Sequence, residues 1–129
     1  VYAIIDSINP IALCITRSIF NNGCVVLSII DFIGPNNNFP LIHNLIHHLL
    51  LKYNAEYIDI YSYGLPLEYI YRAGFINRKH YENLVIPCHY EPFEQKNIDI
   101  NIGYISSSNK NDVRVFKGDG DADRPSVIR

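Results

Sequence analysis

The sequence predicts an α/β (α+β) fold, a mixed β-sheet flanked by helices, in one domain over residues 1–129. Three stretches carry this expectation. Two β-rich runs, 11–20 and 24–33, enclose Asn21, Asn22 and Gly23, residue types that supply the positive φ of a tight hairpin. Leu41, Ile42, Leu45, Ile46, Leu49 and Leu50 then recur at a helical period and make one apolar stripe. Residues 57–63 return to Ile and Tyr in a short run that Gly64 and Pro66 close. Strand, helix, strand in this order favours a right-handed crossover onto one sheet.

In chain order, residues 1–6 read as a short strand and 7–10 as a turn, with Asn9-Pro10 as its starter. The hairpin register sets Cys14 opposite the 29–31 region and away from Cys24, so these two thiols should not bond. Strict alternation in the second run places Val25, Leu27, Ile29, Asp31 and Ile33 on one face. Asp31 is then a carboxylate among aliphatics. Either it points outward or caps a turn, or it marks a polar site at the strand end. Residues 34–38 form the loop before the long helix, and Pro40 suits that helix's first turn.

The other face of the helix carries His43, Asn44, His47, His48 and Lys52, a solvated polar face. His43 and His47 have metal-compatible spacing, but no HExxH pattern or nearby carboxylate completes a site, so no metal is expected. In the following strand Tyr57, Asp59, Tyr61 and Tyr63 share one face and Ile58, Ile60 and Ser62 the other. Asp59 is either a site carboxylate among phenols or part of a polar face turned to solvent or a loop. Glu68 and Arg72 suit an i, i+4 pair on the short helix after Pro66. Further strands are expected at 81–89, 98–104 and 112–116, giving the order strand, strand, strand, helix, strand, helix, strand, strand. In the tail, Asp119, Asp121 and Asp123 alternate as the first ligands of a calcium loop do, but Arg124 stands where that loop needs Gly. An ordered acidic loop paired with Arg124 is the other reading.

A net charge of −2 leaves no footprint for nucleic acid or an anionic membrane, so neither is an expected partner. No run approaches the ~18 apolar residues that span a bilayer. No basic and apolar leader opens the chain. Three cysteines, Cys14, Cys24 and Cys88, in no metal spacing suggest buried thiols in a reducing, cytoplasmic setting. The start at Val1 and the lack of Met suggest a piece of a longer protein.

The stretch 39–75 ends in Tyr69, Ile70, Tyr71, Arg72, Ala73, Gly74, Phe75, an aromatic-x-x-x-x-Gly-Phe step. Helix, strand, short helix and this step resemble the back half of the GNAT superfamily of acyl-CoA-dependent N-acyltransferases, over about residues 25–86. The resemblance implies a GNAT-like mixed sheet that lacks the family's N-terminal elements. It implies acetyl-CoA or another acyl-CoA in the splay between the runs 24–33 and 57–63. The pyrophosphate would rest on the loop of Ile33, Gly34, Asn36, Asn37 and Asn38, at a helix N-terminus. The family's loop pattern is reduced here to one glycine, with no arginine or other cation nearby. Asp31 or Asp59 would act as base, N–H groups near Ile33 would polarise the carbonyl, and the family's acid Tyr falls at Ile70. A small amine or amino sugar would be the acceptor. The tail GDGDADRP resembles the end of GNAT-like proteins encoded with bacterial surface-polysaccharide genes. The alternative is a non-catalytic GNAT-like module that binds a carbohydrate or a protein partner through its ten tyrosines.

Overall fold

The computed structural model describes residues 1–21, 23–86, 97, 99, 101–107 and 113–120. The expectations for Cys88, for residues 87–89, 98, 100 and 108–112, and for the tail beyond 120 lie outside these residues. Strand β1 (Tyr2–Asp6) turns at Ser7 and Ile8 and pairs antiparallel with β2 (Asn9–Asn21). The turn is shorter than expected, because Asn9 and Pro10 already belong to β2. Pro10 lies beyond the reach of β3 (Cys24–Ile33), whose pairing with β2 stops at Leu13↔Ile33, so its missing N–H costs little.

The β2–β3 hairpin forms as expected, with one change that matters. Ile15 faces Asp31 but Thr16 faces Ile29, so Ile30 is the extra residue of a β-bulge. A bulge resets the alternation. Ile29 and Phe32 therefore both enter the core, and Asp31 is half-buried instead of continuing the face of Leu27 and Ile29. For the same reason Cys14 lies opposite Phe32, one residue past the expected 29–31 region. Cys14 is buried and Cys24 exposed, and both are free thiols. Burial pushes the Cys14 thiol up to about 12, so it is inert.

A 3-10 helix at Asn36–Ile42 leads into α1 (His43–Tyr53), in place of one helix starting at Pro40. A proline disfavours α geometry at the residue before it, so the regular helix waits until Pro40 is passed. The three-residue turn also rotates Leu41 off the expected stripe, and it is 52% exposed. Ile42, Ile46 and Leu49 are buried, while Leu45 and Leu50 are half-buried against the same core. Asn54 ends the helix in the left-handed conformation at φ +46°.

Strand β4 (Tyr57–Ile60) then lies parallel to β3, with Val26↔Tyr57 through Ile29↔Ile60 in register. The sheet order is β1-β2-β3-β4, a mixed sheet. The 3-10 helix, α1 and α2 (Leu67–Arg72) enclose its apolar face. Phe32 meets Phe39 edge-on at 5.1 Å, and Phe39 stacks on Phe75 at 6.4 Å. Glu68 and Arg72 pair across 3.8 Å at the surface, as expected.

Three expected strands differ. The run 57–63 is interrupted at Tyr61, and β5 (Ser62–Tyr63) leaves the main sheet to pair antiparallel with β6 (Val115–Phe116). Residues 81–86 and the described part of 98–104 are not strands. The Asn97 side chain instead accepts from the Ile86 N–H at 3.0 Å and donates to the Leu84 carbonyl at 2.7 Å. It takes up groups that a ladder would use. Among the described residues no helix is long and apolar enough to cross a membrane.

Leu49→Ala is expected to cost about 2–5 kcal/mol in chemical denaturation, and Leu45→Ala clearly less, because only Leu49 is fully enclosed. Equal losses would show that the helix face is assigned wrongly. In a Cys88→Ser chain, an aromatic disulfide reagent should titrate Cys24 promptly and Cys14 only on unfolding.

Candidate functional site

The parallel pairing of β3 and β4 brings two polar side chains into the sheet interior. Ser28 faces Asp59 in register, and its Oγ donates to Asp59 Oδ1 at 2.5 Å. Ser28 is fully buried and Asp59 only 4% exposed. A carboxylate this deep needs partners, because unpaired burial of charge is costly. The third member comes from far along the chain. Lys117, 5% exposed, donates from Nζ to Ser28 Oγ at 3.4 Å and lies 5.2 Å over the Tyr61 ring.

Tyr57 stands beside this group. Its phenol is pushed up to about 12, first by burial and then by the Asp59 charge and by Tyr61. Asp59 thus sits among tyrosines as expected. Its face looks onto residues 115–119 and borders a cleft beside them.

Those residues run through the opening between the two central strands. β3 and β4 keep register for four residues and then part, β3 at its bulge and β4 at Tyr61. Into the opening comes β6, paired with β5 through Ser62↔Phe116 and Tyr63↔Val115. Phe116, the last residue of β6, joins the core, and Lys117, the first residue of the turn after it, reaches the Ser28–Asp59 side. The Phe116 N–H donates to Asp119 Oδ2 at 2.7 Å, closing a 3-10 turn at Lys117–Asp119. Gly64, at φ +79°, allows the crossing, since a Cβ there would lie 2.0 Å from the Val113 carbonyl oxygen.

The loop after β3 is tied down on both sides. A Cβ at Gly34 would lie 2.7 Å from that of Ala12, so packing alone demands glycine. Asn38 Nδ2 donates to the Ile11 carbonyl at 3.2 Å, which turns it toward β2 and away from any ligand. Asn37 is exposed and Ile33 is 52% exposed. The expectation that no cation lies near this loop is corrected. Arg114 NH1 donates to the Gly34 carbonyl at 2.7 Å and to Asn36 Oδ1 at 3.1 Å. Both acceptors are neutral, and the carboxylates of Asp31 and Asp119 line the same cavity as the guanidinium.

Asp31 and Asp59 do not share a site. Asp31 lines a cavity of about 400 Å³ with Ile33, Arg114 and Asp119, and its Oδ1 accepts from the Phe32 N–H at 2.7 Å. Asp59 lines a cleft of about 1010 Å³ with Tyr57, Tyr61 and Lys117 at its polar side and Ile58 and Ile70 at its apolar side. Arg78 and Lys79 stand at the same cleft and bind Asp99 at 2.5 Å and 3.0 Å. Lys79 and then Arg78 hold the Asp99 carboxyl below the usual carboxylate range.

On the helix, His43 Nδ1 lies 3.3 Å from the Ala73 carbonyl, while His47 and His48 are exposed. Among the described residues no three His, Cys, Asp or Glu side chains gather as metal ligands would. Ile70 packs on the core, Tyr69 is half-buried there, and Tyr71 is exposed.

Sequence reasoning missed Ser28, Arg114 and Lys117. Ser28 left a trace as the one polar residue in the run 24–30 besides Cys24. Comparison with family models, curated proteins and solved structures finds no match to the chain.

The native state keeps the Tyr57 proton to about 12, whereas an unfolded phenol loses it near 10, so this group's stabilisation is complete below 10 and is lost as pH rises toward 12. In alkaline denaturation series, Tyr57→Phe should flatten that decline. An unchanged slope would place the raised phenol elsewhere.

Proposed function

We propose that the chain is an acyl-CoA-dependent N-acyltransferase-like protein with a GNAT-like sheet, acting on a small amine or amino sugar. The observation that carries this reading is the parting of parallel β3 and β4 beyond a bulge, with a loop and helix start directly after β3. That is the arrangement the resemblance implies for a thioester site. The loop end suits a pyrophosphate. The first N–H groups of the 3-10 helix have no intrahelical partner, and the Arg114 guanidinium stands beside them. Asp59 is the better placed of the two candidate bases, since it borders the larger cleft.

The splay itself does not admit an acyl arm while Phe116 and Lys117 fill it. That filled splay favours a second reading, a non-catalytic module that binds a carbohydrate or a protein partner at the tyrosine-lined cleft.

Calorimetric titration with acetyl-CoA tests the first reading. Weak binding is expected, with Kd on the order of 0.1–1 mM, because one guanidinium and a few N–H groups hold the anion. Arg114→Ala should weaken it about tenfold, the equivalent of one charged hydrogen-bonding group. Binding indifferent to Arg114→Ala would put the ligand elsewhere and remove the support for this reading.

A further inference from the structure

We infer that residues 115–120 form a strap that closes the thioester splay from within, and that an acyl thioester gains entry only when the strap lifts. The inference rests on the acyltransferase reading above and concerns the regulation of that same site.

The strap fits its seat closely. It pairs with β5 on one side, and on the other Gly118 lies so near β3 that a Cβ would come within 2.9 Å of Ile30 Cγ2. One residue, Phe116, enters the core; the next, Lys117, fastens to Ser28. The seat is therefore specific. Its hold is nevertheless limited by its own chemistry. The ladder to β5 is two residues long, far short of what makes a hairpin stable alone. The residue under the strap's middle is a lysine, and removing an ammonium from water offsets much of what it gains from its partners. A permanent plug would place an apolar side chain there. The strap also obstructs the site without disturbing its frame. Ser28, Ile29 and the paired residues of β4 are held by the main sheet, and β6 is not part of it.

A site that is open for only a fraction of the time loses affinity by that fraction. A strap lifted about a tenth of the time would weaken acyl-CoA binding tenfold, and freeing the seat would restore it.

The test uses the full chain and two substitutions. Gly118→Val drives a side chain into Ile30 and prevents seating, and it alters no residue of the loop, nor Arg114 or Asp59. Calorimetry with acetyl-CoA should then show binding at least tenfold tighter than in the parent chain. Independently of that variant's folding, Tyr63→Trp in the otherwise parent chain reports the strap, because the protein has no other tryptophan and Tyr63 pairs with Val115. Its emission should shift with acetyl-CoA at the concentrations that give heat. If acetyl-CoA binds but the emission stays unchanged, or Gly118→Val folds and binds no more tightly, the strap is a fixed part of the fold and the inference fails while the acyltransferase reading stands. If neither chain binds acetyl-CoA at millimolar concentration, the acyltransferase reading fails and the inference falls with it.

Discussion

One extra residue in β3 controls the geometry on which the site depends. The bulge at Ile30 changes which side chains face the helix, and it sends Phe32 into contact with Phe39. Without it, the strand would present Asp31 to the core, at the cost of burying a carboxylate among aliphatic groups. The same extra residue bends β3 where its pairing with β4 ends. Packing and the opening between the strands thus share one cause. Moving the bulge along β3 would shift the point of parting.

The Ser28, Asp59 and Lys117 group has a different role. The Ser28 hydroxyl donates to the carboxylate and accepts from the ammonium, so each charge meets a dipole of suitable sign. Such a group contributes little net stability, because desolvation offsets most of the attraction. It contributes position: only one seating of residues 115–119 delivers Lys117 to Ser28 and Phe116 to the core together. The Tyr57 phenol flanks the group without adding charge near neutral pH, and the Tyr61 ring lies under the ammonium.

Much of the sheet and helix was legible in the sequence because the signals were local. The hairpin announced itself through residues 21–23, and the helix through the spacing of Ile42, Ile46 and Leu49. Asp59 stood out as a carboxylate among tyrosines. The bulge could not be read, since Ile30 has the same composition as its neighbours and only the pairing of β2 reveals it. The described part of the expected strand 81–89, residues 81–86, was misjudged because its apolar residues have the right type, yet Asn97 takes up the backbone groups at Leu84 and Ile86. Arg114 and Lys117 lie 80 and 89 residues from the groups they bind, beyond the range of any periodicity. The proposed acyltransferase reading rests on the parting of β3 and β4, and the filled splay departs from what the resemblance implies.

The sequence distance spanned by the strap also orders the assembly of the molecule. β2 and β3 close over a few residues, and the crossover through α1 brings β4 alongside soon after in chain length. Contacts from Arg114 and Lys117 must close loops of 80 and 89 residues, and such closures carry entropy that the sheet's local contacts do not. The strap has no seat until β3 and β4 already stand side by side. The contacts of residues 115–119 with β3 are therefore expected to close after those of the sheet.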